Sequence, residues 1–386
     1  MDALQINDQL IAYRHRPGLG RTIVFANSLG SDQSIWDDVI ACLPGGYGVL
    51  TYDLRGHGQS GHTSCFGLED LADDVDGLVR FLGLQDVLFC GVSIGGLIGQ
   101  VLAARAPDYL SRAVLCNTAP VVGTQARWDE RISAVESGGI SAIAETIISN
   151  WFGEAYADAS PHRLRMHLHM LSRVSSSGYV DACRAIAATD LSKAVKQISI
   201  PILCVGGDED KSVPAGDVRA LADAITDAKL EILPGVGHFP CLEAPAKLAQ
   251  LIEGFDQSDW SAQARGMSVR RAVLGDAHVD RSEAKKTSFD AAFQKLITEG
   301  AWGTVWHSPG VSARERSMLT LALLAAQGNF EEIPMHVRAT ARTGATERDI
   351  GEAMQHVAIY AGVPRANNAL KLIKATLSEM KAQQDE

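Results

Sequence analysis

Short, continuous apolar runs alternate with segments of helical periodicity from residue 20 to about residue 255. The apolar runs are TIVFAN, GVLTYD, DVLFC, RAVLCN, IPILCVGG and KLEIL, at residues 22–27, 48–53, 86–90, 112–117, 200–207 and 229–233. Strands that are apolar on both faces and separated by helices are typical of a parallel sheet covered on both sides. The pattern predicts an α/β domain over residues 1–255.

The alternation is interrupted once and then ends. Residues 123–190 carry long helical patterns between two strands, and an insertion at this place is predicted to cover the carboxyl edge of the sheet as a lid. Residues 256–266 are polar and nonperiodic and are interpreted as a linker. Residues 267–386 are expected to form an all-α domain, with Thr346 as an N-cap and Pro364 opening the last helix.

Composition and charge exclude several classes of function. The 386 residues are 46% hydrophobic, which is ordinary for a folded protein, and 35 Lys and Arg against 46 Asp and Glu give a net charge of −11. This balance argues against a general binder of nucleic acid or of anionic membranes. The lack of a signal pattern or a long apolar run predicts a cytoplasmic protein without a membrane span. Seven cysteines without close pairing are expected to be reduced thiols.

The first candidate for chemistry is Ser93 in the sequence Gly91-Val92-Ser93-Ile94-Gly95. The motif follows an apolar run and precedes a helical segment, which is the context of a nucleophile elbow. The glycines allow the sharp turn that exposes the serine hydroxyl. Because glycine and serine are also common in ordinary turns, the prediction depends on partners elsewhere in the chain.

Two such partners follow in the expected order. Asp210, in GDEDKSVP after a predicted strand, is placed to orient a histidine and stabilise its charged form. Asp208 is expected to cap the same turn, and an alternative is that both aspartates are turn residues only. His238, in the loop LPGVGHFPCLEAP after the last strand, is the predicted general base, whereas His57 is interpreted as a residue that stabilises its loop.

Two backbone amides are predicted to bind the oxyanion of an acyl-transfer reaction. One is the amide of Ile94, directly after the nucleophile, and the other is the amide of Leu29 in the loop after the first predicted strand. The alternative is an ordinary turn between a strand and a helix, which Gly30 would also serve.

The segments FANSLGSDQSIWDDV, YDLRGHGQS, GVSIGG, GGDEDKSVP and VGHFPCLEAP together resemble the 3-oxoadipate enol-lactonases of the α/β-hydrolase fold, over residues 1–255. The resemblance implies that Ser93 attacks the carbonyl of an enol-lactone bearing a carboxylate, and that water then releases the acyl group. A lid that recognises the carboxylate is therefore expected. Trp128 and Arg131, at i and i+3, are the candidates for substrate binding, and Arg127 is a second option, although helix arginines often only face water.

Residues 267–380 resemble 4-carboxymuconolactone decarboxylase along nearly their whole length. The segments that carry the resemblance are VRRAVLGDAHVDRS, FDAAFQKLITEGAWGTVW and SARERSMLTLALLAAQGNFEEIPMHVRATARTGATERDIGEAMQHVAIYAGVPRANNA. The resemblance implies an AhpD-like all-α fold. Some relatives of that fold use a Cys-x-x-Cys pair, but this segment contains no cysteine, which excludes thiol chemistry here.

The implied decarboxylation needs no metal and no organic cofactor. Electrons released with carbon dioxide flow through the ring alkene into the lactone carbonyl, so the protein has to stabilise the developing oxyanion, desolvate the carboxylate and protonate the α carbon. His336 is the candidate proton donor, with Glu332 one turn earlier to fix its tautomer. The alternative is that Asn329-Phe330-Glu331-Glu332 is only a capping box, and Pro334 would weaken the i, i+4 geometry if it delays the helix.

Several further residues of the all-α domain are considered. Arg314 and Arg316, with Arg270 and Arg271, are candidates for binding two substrate carboxylates, and the alternative is solvation or salt bridges between subunits. A histidine and two tryptophans are expected to be core residues: His356, Trp302 and Trp306.

Together the resemblances predict a bifunctional enzyme of the β-ketoadipate (protocatechuate) pathway that acts on small lactone carboxylates. The all-α domain would convert 4-carboxymuconolactone to 3-oxoadipate enol-lactone, and the α/β domain would hydrolyse that lactone to 3-oxoadipate. A homo-oligomer built through the C-terminal domain is expected. The alternatives are a general carboxylesterase whose α-domain only oligomerises, and a non-catalytic ligand-binding regulator.

Overall fold

The computed structural model describes residues 1–18, 20–43, 46–257, 261–308 and 311–382. Its contacts divide the chain into two compact units. The first unit is formed by Met1–Pro17, Arg21–Leu43 and Gly48–Asp256, and the second unit contains the residues from Gln257 onward.

The first unit is built on an eight-stranded sheet in the order β1-β2-β4-β3-β5-β6-β7-β8. The strands are β1 (Asp2–Ile6), β2 (Gln9–Arg16), β3 (Thr22–Ala26), β4 (Gly48–Tyr52), β5 (Val87–Val92), β6 (Leu110–Cys116), β7 (Ile202–Gly207) and β8 (Lys229–Leu233). Strands β1 and β2 pair antiparallel at one edge, and the pairs from β4 to β8 are parallel. All six predicted strands are confirmed.

Helices cover the sheet and form the insertion between β6 and β7. The helices of this unit are α1 (Asp37–Cys42), α2 (Leu68–Phe81), α3 (Ile94–Arg105), α4 (Gln125–Gly138), α5 (Ala144–Trp151), α6 (Glu154–Ala159), α7 (Pro161–Ser172), α8 (Ser176–Ala187), α9 (Ala215–Ala224), α10 (Pro240–Glu243) and α11 (Pro245–Gln257). Helix α3 is apolar almost all round and is buried from Ile94 to Ala103, as expected for a central helix. Helices α4 to α8 form the predicted helical lid.

The described part of the second unit is helical. Its elements are α12 (Ala262–Leu274), α13 (Asp276–Lys285), α14 (Ala291–Ile297), a π-helix (Thr298–Trp306), α15 (Ala313–Gln327), α16 (Ile333–Thr343), α17 (Glu347–Tyr360) and α18 (Val363–Ala382). Helices α15 to α18 enclose a core that includes Leu321, Ile333, Val337, Ile350 and Ile373.

The predicted linker of residues 256–266 is mostly helical. Helix α11 continues to Gln257, and α12 begins at Ala262 because Ser261 caps it by accepting a hydrogen bond from the amide of Ala264. Residues 258–260 lie outside the described residues. The polar sequence did not predict this helix, because α12 buries only a narrow stripe of residues along one face. Gly266 lies in that stripe, where an added Cβ would come within 1.9 Å of the carbonyl oxygen of Thr298.

Candidate functional site

Ser93 lies at the turn between β5 and α3 in a strained conformation, with φ 60° and ψ −117°. The neighbouring glycines make this turn sterically possible. A Cβ on Gly91 would lie 2.2 Å from the carbonyl oxygen of Gly95, and one on Gly95 would lie 2.4 Å from that of Ala26. Non-glycine residues rarely adopt positive φ, and such strain concentrates at functional sites. The local structure is that of the predicted nucleophile elbow.

Asp210 and His238 are hydrogen bonded at the carboxyl edge of the sheet. The distance from Nδ1 of His238 to Oδ2 of Asp210 is 2.7 Å, and both side chains are buried. The amides of Ser212 and Val213 donate to the other carboxylate oxygen at 2.7 and 3.0 Å. Asp208 instead accepts from the amide of Gly235 in the loop that precedes His238, and no side-chain bond within its own turn is seen among the described residues, so its predicted role as a cap of that turn is not observed.

Asp210 is held in its ionised form. Burial raises the pKa of this carboxyl, but the adjacent His238 and the hydrogen bonds from His238, Asn117 and the amide of Val213 more than offset it and bring the pKa below its usual value. A carboxylate on Nδ1 leaves Nε2 of His238 free to accept a proton. His238 and Ser93 line the same cavity.

Two residues that support this pair were not found by sequence reasoning. Asn117, with φ 46°, donates from Nδ2 to Asp210 at 2.7 Å and to the carbonyl of Gly237 at 3.1 Å. Glu243 accepts hydrogen bonds from the amides on both sides of His238, and from a lid amide; the donors are Gly237, Phe239 and Gly153. The signal for Asn117 was available, because a polar residue directly after a buried strand lies at the same edge as Ser93.

The loop that carries Leu29 is fixed by His57. The amide of Gly30 donates to Nε2 of His57 at 3.0 Å, and Nδ1 of the same ring donates to the carbonyl of Arg55 at 2.9 Å. Burial lowers the pKa of His57 to about 4, so the ring is neutral. The prediction that His57 stabilises its loop is confirmed. Leu29 lines the cavity beside Ser93, and among the described residues neither its amide nor that of Ile94 has a protein acceptor.

The lid places two cations and three aromatic rings around Ser93. Arg127, Trp128 and Arg131 from α4 line the cavity with Trp151 and Tyr179. The guanidinium carbon of Arg131 lies 5.1 Å from the centre of the Trp128 ring, a cation–π contact. Burial lowers the pKa of Arg127, and the charge of Arg131 lowers it further. Two adjacent cations without an ion pair among the described residues form a site suited to an anion.

The cavity at Ser93 has a volume of only 30 Å³. The free space beside the Ser93 hydroxyl is therefore small. Tyr179 and Trp151, which sequence reasoning also missed, gave no signal because their helices read as ordinary amphipathic segments.

In the second unit, His336 lies on α16 and is partly buried. Burial lowers its pKa to about 4, with a smaller effect from the neighbouring His278, so the ring is neutral near pH 7. A groove of 740 Å³ runs beside α16 and is lined by His278, Pro334 and Met335 among others. His336 itself does not line this groove. It lies near His278, which does.

Glu332 does not support His336 as predicted. Its side chain is exposed, and among the described residues it has no hydrogen bond to His336. Helix α16 begins at Ile333, so Glu332 lies in the preceding turn, and its charge acts on His278 instead. Pro334 in the first turn is compatible with the helix. The alternative capping box is also absent, since Asn329 makes no side-chain cap.

Among the described residues, three of the candidate arginines pair with carboxylates, and Arg316 does not. Arg314 donates to both carboxylate oxygens of Asp349, so its predicted role in substrate binding is replaced by an ion pair. Arg270 and Arg271 likewise contact acidic side chains. Arg316 is buried and donates to the carbonyl of Ser308 at 2.6 Å, while its Nε has no partner within the described chain. Burial lowers the pKa of Arg316, and the nearby charge of Glu315 offsets this only in part.

The expectations for core residues have mixed outcomes. Trp302 is buried and packs on the partly buried Trp306 with ring centres 5.2 Å apart, as predicted. The prediction for His356 is wrong, because it is exposed and stacks on Tyr360, which is 84% exposed. All seven cysteines are free, and five of them are buried.

The family comparisons agree with this geometry. The model of the alpha/beta hydrolase family matches residues 23–251, and that of the carboxymuconolactone decarboxylase family matches residues 291–375. The chain is a fusion of an alpha/beta hydrolase and a carboxymuconolactone decarboxylase family member. The two units are called the hydrolase unit and the decarboxylase-family unit below.

Curated relatives cover each unit. The hydrolase unit is 33% identical over 232 residues to 3-oxoadipate enol-lactonase 2 of Acinetobacter baylyi, which covers 60% of this chain and 86% of the relative. The decarboxylase-family unit is 37% identical over 116 residues to 4-carboxymuconolactone decarboxylase of the same organism, a match that covers 30% of this chain and 87% of the relative. It is 40% identical over 115 residues to nitrosuccinic acid decarboxylase of Metarhizium robertsii, a match that covers 30% of this chain and 80% of the relative.

The described residues contain neither a membrane-spanning helix nor a metal-binding cluster. No helix there is both long enough and apolar enough to cross a bilayer. No group of three or more His, Cys, Asp or Glu side chains there is arranged to hold a metal ion.

Proposed function

We propose that the hydrolase unit opens a lactone ring by covalent catalysis at Ser93. His238 takes the proton of the Ser93 hydroxyl as it attacks the lactone carbonyl, and Asp210 stabilises the resulting imidazolium. The amides of Leu29 and Ile94 stabilise the tetrahedral oxyanion. Ring opening leaves an acyl group on Ser93, and water activated by His238 releases it. The observation that supports this most strongly is the strained Ser93 in one cavity with the hydrogen-bonded pair of His238 and Asp210.

The two lid arginines indicate the class of lactone. A substrate carboxylate would pair with Arg127 and Arg131, which line the cavity without an ion pair among the described residues. The related enol-lactonase supports an enol-lactone, 3-oxoadipate enol-lactone, as this substrate. Its leaving group is an enolate that becomes a stable ketone, so collapse of the tetrahedral intermediate is favourable.

We propose that the decarboxylase-family unit removes carbon dioxide from 4-carboxymuconolactone through His336. The neutral ring has little acid strength by itself, but a bound dianion would raise its pKa towards the usual value. The proton taken up on binding is then available for the α carbon of the intermediate. Arg316, a buried cation with an unpartnered Nε, supports carboxylate binding in this unit. No cofactor is required, since the lactone carbonyl accepts the electrons.

Two assays on the purified chain test these proposals. Release of carbon dioxide from 4-carboxymuconolactone, lost in His336→Ala, supports the decarboxylase. Release of carbon dioxide from nitrosuccinate, the compound in the name of the second relative of this unit, is measured for comparison. Hydrolysis of the enol-lactone, lost in Ser93→Ala, supports the lactonase. Ester hydrolysis without carbon dioxide release would instead favour a carboxylesterase whose second unit only assembles subunits.

We also propose that the decarboxylase-family unit forms a homo-oligomer, in a protein of the cytoplasm. Helices α15 and α17 pack together and expose large apolar side chains, which favours a second copy as their cover. The exposed residues are Leu319, Leu323, Ile359 and Tyr360. Sedimentation of wild type and of Leu323→Glu with Ile359→Glu tests this: the wild type should be oligomeric and the variant should dissociate.

A further inference from the structure

A second serine, histidine and aspartate meet in the hydrolase unit, away from Ser93. The Ser177 hydroxyl lies 3.1 Å from Nδ1 of His62, and Nε2 of His62 lies 2.9 Å from Oδ2 of Asp181. All three line a cavity of 490 Å³. None of them lines the cavity of Ser93. We propose that Ser177 is a second nucleophile that accepts acyl groups from small, uncharged activated esters.

The backbone holds these residues together. Ser177 lies in the first turn of α8 and Asp181 one turn later, so both face the same side of the helix. His62 comes from the loop between β4 and α2. This loop is tied to α8 by the amide of Ser175, which donates to the carbonyl of Gly56. The approach is tight, because a Cβ on Gly178 would lie 2.7 Å from the Cα of Gly56.

The hydrogen bonds fix the roles of the two ring nitrogens. The carboxylate of Asp181 can only accept, so Nε2 of His62 carries the proton and donates to it. Nδ1 is then the acceptor that faces the Ser177 hydroxyl. The second oxygen of Asp181 accepts from Arg184 at 2.9 Å, which fixes the carboxylate against the ring. This is the arrangement of nucleophile, base and orienting acid that activates a serine.

The start of α8 supplies stabilisation for an oxyanion. The first amides of a helix lack intrahelical acceptors and carry partial positive charge. Ser175 accepts the hydrogen bond of the Gly178 amide, whereas the Ser177 amide has no acceptor among the described residues. An oxygen that develops negative charge next to Ser177 can therefore accept from the amide of the nucleophile itself.

The reaction uses only the ester and water. The Ser177 oxygen forms a bond to the acyl carbon as its proton passes to Nδ1 of His62. The carbon–oxygen bond to the leaving group then breaks, and His62 returns the proton to that oxygen. Water attacks the acyl-serine in the same way and releases the carboxylic acid and free Ser177.

The charges in the cavity determine which esters can enter. Glu136 and Asp181 both contact Arg184, so the one lining cation is already neutralised. The remaining negative charge disfavours anionic substrates, in contrast to the cationic lid site at Arg127 and Arg131. The second site is thus expected to accept neutral esters that the Ser93 site does not select.

The test uses full-length protein carrying Ser93→Ala, with p-nitrophenyl acetate as the probe. Hydrolysis and transient acetylation should remain, and mass spectrometry should locate the acetyl group on Ser177 in the peptide of residues 174–184. Adding Ser177→Ala or His62→Gln should lower the rate at least tenfold. Adding Ser176→Ala, which lines the same cavity without contacting His62, should change it less than twofold.

Asp181→Asn separates positioning from structure, because it should lower the rate and shift the midpoint of the pH profile downward while leaving the melting temperature nearly unchanged. The proposal is overturned if no acetyl group reaches Ser177, if the label lies on the exposed Cys65 of the same cavity, or if Ser176→Ala and Ser177→Ala reduce the rate equally. The outcome is independent of the lactonase proposal, which Ser93→Ala removes.

Discussion

Single side chains would give the lid site the preference for anions that we propose. Arg131 stacks on Trp128 and lies against Tyr179, and Arg127 adds a second, desolvated charge. Burial raises the pKa of the Tyr179 hydroxyl well above its usual value, and Arg131 only partly offsets this, so Tyr179 stays a neutral hydroxyl. A carboxylate bound here gains charge-assisted hydrogen bonds in a site of low polarity.

Arg131→Gln should lower kcat/KM for the enol-lactone about 100-fold, mostly through KM, because a charge-assisted contact of about 3 kcal/mol is lost. The methyl ester of the same lactone should change less than threefold. The matched control is Arg163→Gln on α7, which removes an exposed ion pair with Asp38. Equal losses for the acid and the methyl ester would show that Arg131 supports the lid and does not bind the carboxylate.

Sequence reasoning found residues with a strong local signature and missed those defined by contacts. Ser93, Asp210 and His238 each lie in a glycine-rich turn after a strand, which the sequence shows directly. Glu332 looked like a partner of His336 because spacing alone cannot show where α16 begins. Arg314 looked free because its partner, Asp349, lies 35 positions away.

At the scale of elements, a partly buried carboxylate holds the His238 loop. Glu243 on α10 accepts three backbone hydrogen bonds, two from the loop and one from Gly153 in the lid. Burial raises the pKa of Glu243, and these hydrogen bonds lower it, so the net shift is upward. The carboxylate thus links the His238 loop to the lid between α5 and α6.

Glu243→Gln should reduce the free energy of unfolding by about 2 kcal/mol, since an amide cannot accept all three bonds and leaves a buried N–H group unpaired. It should also lower kcat for lactone hydrolysis about tenfold with little change in KM, because His238 loses its fixed position. Glu231→Gln, exposed on β8, should change neither quantity. Urea denaturation and steady-state kinetics measure both, and an unaltered kcat would contradict the role of Glu243 in positioning His238.

The elements themselves were predictable to different degrees. Five of the six predicted strands are continuous buried runs, and β8 alternates between exposed and more buried positions, whereas β1 is largely exposed and reads as a polar terminus. The π-helix at Thr298–Trp306 has no sequence signature of its own, because its apolar residues fit an α-helix equally well. Its form depends on packing against α12, where Gly266 and Gly303 allow close approach.

For the whole molecule, two neutral histidines, the buried His57 and the partly buried His336, make stability depend on pH. His57 and His336 both have a pKa near 4, and unfolding returns each to about 6.5. Between these values the unfolded chain binds protons that the folded chain does not, so stability falls as pH falls from 6.5 towards 4. Each histidine contributes a loss of about 2 kcal/mol between pH 7 and pH 5.

His57→Gln should therefore reduce the pH-dependent loss of the hydrolase unit by about 2 kcal/mol between pH 7 and pH 5. His336→Gln should do the same for the decarboxylase-family unit. Urea denaturation at the two pH values measures the change, with the exposed His356→Gln as the control. An unchanged pH dependence in His57→Gln would mean that this ring is protonated in the folded protein.

In the function proposed here, the fusion joins a reaction that makes an enol-lactone to one that consumes it. The most direct measurement is to supply 4-carboxymuconolactone to the wild type, Ser93→Ala and His336→Ala and to identify the accumulated species by chromatography over time. The wild type should form 3-oxoadipate, Ser93→Ala should release carbon dioxide and stop at the enol-lactone, and His336→Ala should leave the starting lactone. Formation of 3-oxoadipate by Ser93→Ala, or no carbon dioxide release by the wild type, would contradict a two-site enzyme.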